Sequence, residues 1–241
     1  MLHPFRKIKR WLNYRIHGTT KPWLHRIDPR SESATEHVFT HIYAHNVWGD
    51  AESVSGAGSN LAQTKILRER LPSLLKDLQV RSLLDIPCGD YHWLSHVQLE
   101  VAQYLGADIV APLVESNQAR YGREEPSRSV MFTRMNLLTS PLPRVDLILC
   151  RDCLVHFSNE DVWQALRQIK RSGSTYLLTT TNPLRQNDKE IRTGEWRPLN
   201  LEAPPFQLPP PTTTILEHST DHNGRFPDKA LALWTIANLP S

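Results

Sequence analysis

The chain is poor in what would mark it for a membrane, an oxidising compartment or a metal centre. Across its 241 residues no apolar run approaches the roughly 18 needed to span a bilayer. The stretch from Phe5 to Leu12 is too short and too basic for a secretory signal, so none is expected. Only three cysteines occur, Cys88, Cys150 and Cys153, too few for a disulfide framework. A reducing, cytoplasmic setting is therefore expected. The run Cys150-Arg151-Asp152-Cys153 invites a metal or redox reading, but zinc asks for four ligands and commonly a second Cys or His pair. Small buried hydrophobes account for these cysteines more simply, and no metal is expected. The G-x-G-x-x-G fingerprint of a nicotinamide dehydrogenase is also missing.

Acidic residues are absent from the first 27 positions, which hold seven Lys/Arg. The remaining chain carries 21 basic residues (28 − 7) against 25 acidic ones, so it is net negative. Such a body is not a polyanion-binding surface, and nucleic acid is an unlikely substrate. In the arm, Phe5, Ile8, Trp11, Leu12 and Ile16 fall near helical spacing with basic residues between them. This reads as a basic helix docked on a partner protein, or as an interfacial helix drawn weakly to anionic lipid at the inner membrane face. Serine is missing from the arm, which weakens a transit-peptide reading.

What is present has the rhythm of an α/β protein. Residues 1–27 form the arm, 28–79 a helical cap with a polar loop, and 80–241 the main domain. A helix is expected from Thr35 to about Asn46. The polar, glycine-bearing segment from Trp48 to Ser59 follows, and it reads equally as a surface linker and as a loop folding over a ligand. Asn60 caps a helix with an apolar face from Leu61 to Leu78, which Pro72 should kink or split. Strand and helix then alternate: strands at Ser82–Ile86, Gln103–Ile109, Val130–Met135, Val145–Cys150 and Thr175–Thr180. Helices are expected around Tyr91–Val97, from Pro112 to Gly122, and from the Ser158 cap to Gly173. Two last strands, Thr212–Glu217 and Lys229–Ile236, make a hairpin. The expectation is a Rossmann-like doubly wound sheet of seven strands, mostly parallel, ending in that antiparallel hairpin and preceded by a helical extension.

The centre of this pattern is Leu83-Leu84-Asp85-Ile86-Pro87-Cys88-Gly89-Asp90-Tyr91-His92-Trp93. An apolar run ending in a tight turn describes a buried strand whose carboxyl end faces a ligand site. The other strand ends supply Asp108, 23 residues after Asp85, then Asn136, then Arg151-Asp152-Cys153-Leu154-Val155-His156. An acid at the position of Asp108 suits ribose hydroxyls. It could equally cap a turn, and Asn136 could bond only backbone.

On these residues the chain resembles the class I S-adenosylmethionine-dependent methyltransferases. LLDIPCGD looks like their first motif, YLGADIV the acidic end of strand two, FTRMNLLTSPLP the adenine region, and VDLILCRDCLVHF strand four with its following segment. WGDAESVSGAGS, DIPCGD, CRDCLVHFS, YLLTTT and GEWRPLNL together look like a bacterial subfamily of such enzymes, loosely associated with glycan modification. Pro87 and Tyr91 stand where the broad family has glycine, and Asn136 replaces its usual acid.

The resemblance implies S-adenosylmethionine as cofactor and a small-molecule or glycan acceptor. Pro87, Cys88, Gly89 and Asp90 would cradle the methionine moiety and Asp85 would orient its amino group. Asp108, with Ile109 beside it, would bind ribose, and Asn136 with Leu137 would frame adenine. His156 is the first candidate base for a hydroxyl acceptor and Asp152 the second; His156 reads nearly as well as a helix-start residue bonding backbone. Arg151, counted with the cofactor set, either anchors an acidic acceptor or pairs with Asp152. Trp48, Ser59, Trp196 and Arg197 are the expected acceptor contacts, the last two on a proline-rich segment from Asn182 to Pro211. There Trp196 either stacks on acceptor or packs beneath the loop. A catalytically silent cofactor-binding partner protein is the rival reading.

Overall fold

The computed structural model describes residues 34–240; the arm 1–27, and the docking role read for it, lie outside the described residues. The strands are β1 (Ser82–Asp85), β2 (Gln103–Asp108), β3 (Arg123–Glu125), β4 (Arg128–Arg134), β5 (Leu147–Cys150), β6 (Tyr176–Thr181), β7 (Thr213–Leu216) and β8 (Ala230–Thr235). They form one sheet in the order β3-β4-β2-β1-β5-β6-β8-β7. The pairs β4-β2, β2-β1, β1-β5 and β5-β6 are parallel, whereas β3, β8 and β7 join antiparallel. The chain winds outward from β1 in one direction and then from β5 in the other. The carboxyl ends of β1 and β5 therefore flank the switch point where α/β sheets hold ligands.

The sheet has eight strands rather than the expected seven. The extra one, β3, consists of three exposed charged residues, with Arg123 opposite Val130 and Glu125 opposite Arg128. It carries no apolar alternation, which is why the sequence gives it no strand signal. A short charged strand also blunts the sheet edge against pairing with another chain.

Alternation decides which face each strand residue covers. Leu83, Leu147, Leu149, Leu231 and Leu233 point to one core, shared with Leu67, Leu71 and Leu75 of helix α2 (Lys65–Asp77). Leu84, Ile148, Ala232 and Trp234 point to the other, shared with Val162, Ala165, Leu166 and Ile169 of helix α4 (Asn159–Arg171). Between these two in sequence lies α3 (Ala111–Tyr121), and α1 (Ala34–Ala44) opens the described chain. Helix α4 starts as its sequence dictates: the Asp161 amide donates to the Ser158 hydroxyl at 3.1 Å, with Glu160 and Asp161 in the first turn.

Three local expectations differ. The helix expected at 91–97 is a single 3-10 turn, Leu94–His96, because Tyr91 sits at φ 56° and interrupts helical geometry. The link between β7 and β8 contains a four-residue helix, α5 (Asp221–Gly224). Pro72 neither splits nor ends α2, which runs unbroken through it. Packing of Leu67, Leu71 and Leu75, all nearly inaccessible, holds the helix together where its backbone ladder lacks a donor. Replacing Pro72 with alanine restores that donor. Pro72→Ala should stabilise the fold by about 1–3 kcal/mol, read as a higher denaturation midpoint at unchanged slope.

Candidate functional site

A cavity of about 1030 Å³, counting its open mouth, lies over the carboxyl ends of β1, β2 and β5. Asp85, Pro87, Cys88 and Gly89 from the turn after β1 line it. So do Asp108 and Ile109 after β2, Asn136 and Leu137 after β4, and Arg151, Asp152 and His156 after β5. Asp90 lines it too, and Trp48 and Ser59 from the polar loop complete the sequence-expected set, except for Trp196 and Arg197, which lie elsewhere.

Two carboxyls sit at the floor. Asp85 is 3% exposed and accepts from the Tyr104 hydroxyl at 2.7 Å. Burial pushes its carboxyl up to about 7, outweighing that hydrogen bond. Asp108 accepts the backbone N–H groups of Gly89 at 3.1 Å and Val110 at 3.0 Å. Burial still pushes it up to about 6. Two buried acids with raised affinity for protons form a donor-hungry floor suited to an ammonium group and to hydroxyls. That is the chemistry an amino-acid nucleoside presents.

Asp90 lines the cavity with the rest of its turn, and its side chain has a further part. Its carboxylate accepts from the Ser53 hydroxyl at 2.8 Å, the Val54 amide at 3.0 Å and the Ser55 hydroxyl at 3.1 Å. The Asp90 amide in turn donates to Ser55 Oγ at 2.9 Å. It is therefore committed to fastening the polar loop onto the turn after β1. Gly89 serves the same closure: it has φ 54°, and a Cβ there would stand 2.2 Å from Ser55 Oγ. A second tie joins His92 Nε2 to Glu52 Oε1 at 2.8 Å. Of the two readings of residues 48–59, the loop folded over the cavity is the one observed.

Asn136 closes a local turn, its Oδ1 accepting from the Leu138 amide at 2.9 Å. Arg151 is buried in a cluster of four charges. It donates to Glu217 Oε2 at 2.7 Å and to the Gly58 carbonyl at 2.8 Å, and its Nη1 lies 3.2 Å from Asp152 Oδ2. Lys229 Nζ reaches the same Asp152 oxygen at 2.6 Å and Glu217 Oε2 at 3.5 Å. Burial alone would raise the Asp152 carboxyl, but the Arg151 and Lys229 cations outweigh it and hold it below the usual carboxylate range. So tightly held an anion is a poor proton acceptor, which weakens Asp152 as a base.

His156 ends the 3-10 turn Leu154–His156, with Nδ1 2.8 Å from the Glu195 carbonyl oxygen. Its ring lies 5.0 Å from that of Trp48. A carbonyl partner makes Nδ1 the donor and gives Nε2 the lone pair of the neutral ring. The reading of His156 as a residue bonding backbone and its reading as a base are thus compatible.

Arg197 does not point into the site as expected. It is 2% exposed, with Nη1 donating to the Phe157 carbonyl at 2.6 Å and Nη2 to Asn159 Oδ1 at 2.7 Å. The segment around it fills core: Leu199, Leu201, Phe206 and Leu208 pack beneath α4. Its Trp196 meets Phe226 edge-on at 4.9 Å and lines a second chamber, described below. The three cysteines are buried. Burial first of all raises the Cys88 thiol well above its ordinary value, and a thiol hydrogen bond with Cys150 followed by burial does the same for Cys153. Neutral thiols are weak metal ligands and weak nucleophiles. Among the described residues no group of three His, Cys, Asp or Glu is arranged to hold a metal ion.

Sequence reasoning missed Phe39, Ile42 and Tyr43 of α1, which wall the cavity, and Lys229 and Glu217, which bind Arg151 and Asp152. Helical periodicity flags α1 as packed without saying on what. Glu217 and Lys229 flank a hairpin and carry no local signal at all.

Residues 83–173 match the family model described as a methyltransferase domain. No curated protein matches the chain. Among solved structures, human N-acetylserotonin methyltransferase in complex with S-adenosylmethionine is similar, with a TM-score of 0.54 at 13% identity. That match covers 81% of this chain and 57% of the human enzyme's, so the chain spans little more than half of its length. The methyltransferase domain of a bacterial Hen1 protein (CtHen1-C) gives a TM-score of 0.52 at 14% identity, covering 73% of this chain and 98% of the other. At such identities the two structures speak to the fold.

Two expectations follow from the electrostatics. Glu217→Ala leaves Arg151 and Lys229 short of a buried counter-charge, and should cost about 3–5 kcal/mol in chemical denaturation. The second concerns pH. Asp85 is held above its unfolded value, so the folded protein keeps a proton there that the unfolded chain gives up. Stability from this group is full below the unfolded value and is lost as pH rises through about 7. Lowering pH from about 7.5 to about 5.5 should then stabilise the unliganded protein by on the order of 1–2 kcal/mol. Asp85→Asn should remove most of that gain, and an identical pH profile in the variant would place the titration elsewhere.

Proposed function

We infer that this chain, whose residues 83–173 form a class I S-adenosylmethionine-dependent methyltransferase domain, transfers a methyl group to a hydroxyl oxygen with His156 as base. The acceptor class in this reading is a small molecule or glycan, and the setting cytoplasmic. The basic arm would add weak contact with a protein or an anionic membrane surface. Among the described residues no helix is long and apolar enough to cross a membrane.

The cavity fits the cofactor by the chemistry of its donor set. Asp85 would accept from its ammonium group and Asp108 from its ribose hydroxyls, while the turn from Pro87 to Gly89 lies against its methionine end. Ile109, Leu137 and Leu113 offer apolar flanks for a flat base. When bound, S-adenosylmethionine supplies an electrophilic sulfonium methyl for in-line displacement, with a neutral thioether as leaving group. The protein's share is then positioning and exclusion of water. Trp48 and the loop fastened at Asp90 cover the cavity from the solvent side. His156 Nε2 takes the proton of the acceptor hydroxyl as its oxygen attacks, and the Glu195 carbonyl, bonded to Nδ1–H, steadies the ring as it becomes positive.

One observation carries this reading: a histidine with its tautomer set by a backbone carbonyl stands where the cofactor cavity meets the neighbouring chamber. Incubating a cell extract with methyl-labelled cofactor tests it. Wild type should label an acceptor, and His156→Ala should lower the initial rate by about 100-fold or more while calorimetric affinity for S-adenosylhomocysteine stays within about twofold. Undiminished labelling by the variant would remove His156 from the chemistry. Binding without labelling by wild type would instead favour a catalytically silent partner protein.

A further inference from the structure

Next to the cofactor cavity lies a second chamber of about 910 Å³, which shares Trp48, Asp152 and His156 with it. We propose that this chamber binds the acceptor, and that the acceptor is an uncharged ring-bearing molecule, aryl or sugar, presenting a hydroxyl to His156. The inference rests on the methyltransferase reading above.

The chamber is walled by rings. Trp196 and Phe226 meet edge-on at 4.9 Å, and Trp48 lies against His156 at 5.0 Å. Indole and phenyl faces favour flat aromatic rings and the C–H faces of sugars alike. Such walls contribute by apolar burial and stacking, which a ring of either kind can satisfy without carrying charge.

The charges around the chamber are already spent on one another. Lys229 is the lining cation, and its ammonium lies 2.6 Å from Asp152 and 3.5 Å from Glu217. Arg197, expected from the sequence to contact the acceptor, is turned to the Phe157 carbonyl and Asn159. Arg185 approaches the Phe226 ring at 5.1 Å but binds the Asp228 carboxylate at 3.1 Å. An acidic acceptor would therefore meet the Asp152 carboxylate, and among the described residues the lysine on the lining is already paired. An amine would meet the Lys229 ammonium, while Asp152, the carboxylate nearest His156 along the chain, already answers two cations. Desolvating either charged acceptor here costs free energy that Lys229 and Asp152, already paired with each other, do not return.

What the chamber does offer is neutral polarity. Asn182 lines it, and its Oδ1 accepts from the Leu199 amide at 3.2 Å, which leaves the NH2 as the group that would donate to a ligand. That amide suits a ring or hydroxyl oxygen. A neutral acceptor carrying one reacting hydroxyl and one further oxygen matches rings, amide and base together.

Two matched triplets test this on protein saturated with S-adenosylhomocysteine: benzyl alcohol, benzoate and benzylamine, then methyl β-glucoside, glucuronate and glucosamine. Ligand-observed NMR titration gives relative affinities. In one triplet the neutral member should bind at least about tenfold more tightly than both charged partners. Which triplet responds decides between aryl and sugar. That affinity should fall about tenfold or more in Trp196→Ala, with affinity for S-adenosylhomocysteine unchanged; if this variant loses S-adenosylhomocysteine, Phe226→Ala is read in its place. An acid or amine binding as well as its neutral partner, no binding by either triplet, or indifference to the aromatic substitution each overturns the proposal. Failure of the wild-type protein to bind S-adenosylhomocysteine would overturn the methyltransferase reading itself, and this inference with it.

Discussion

The interaction on which most of the site depends is the quartet of Arg151, Asp152, Glu217 and Lys229, in which Arg151 and Glu217 are buried and their two partners half-buried. It draws together the end of β5, the residue after β7, the residue before β8 and, through the Gly58 carbonyl, the polar loop. Charges so withdrawn from water are tolerable only when each is answered, and here each anion meets two cations. The consequence is positional. Arg151 and Asp152 cannot turn toward a ligand without stranding a partner, so the strand end is a rigid platform, and in the reaction proposed above the base is His156 rather than Asp152.

Closure has its own logic. In this chain the turn after β1 carries one glycine, and that glycine is pressed by Ser55 of the overlying loop. Asp90 then collects two hydroxyls and an amide from residues 53–55. The loop is not a separate flap laid on a finished cavity, because the turn that would hold the cofactor is shaped to receive it. Departures from family pattern at Pro87 and Tyr91 fall in this same turn, where Tyr91 adopts φ 56° and packs against Tyr104 at 5.0 Å.

Much of the fold was legible because burial leaves a period in the sequence. The runs at 83–86, 147–150 and 176–181 are rich in leucine, isoleucine or threonine and buried almost throughout, and helix caps such as Ser158 are chemically distinct. Strand β3 was not legible, since exposed Arg-Glu-Glu carries no period, and Pro72 misled because propensity ignores the packing that overrides it. In the site, the residues at strand ends were found by position. The direction of a side chain was harder: Arg197 was located in sequence and misdirected in space, since nothing local announces that Phe157 and Asn159 wait to receive it. Asp90 was found by its place in the turn, but the loop partners of its carboxylate lie more than thirty residues upstream and left no local signal.

The loop from Trp48 to Ser59 has a consequence for the order of events. Trp48 and Ser55 border both the cofactor cavity and the adjoining chamber. No separate door for each compartment is built from these residues: lifting the loop off Asp90 uncovers the two together. Loading and unloading would then be coupled through a single piece of backbone, held at Asp90 and again through the Glu52–His92 and Gly58–Arg151 contacts.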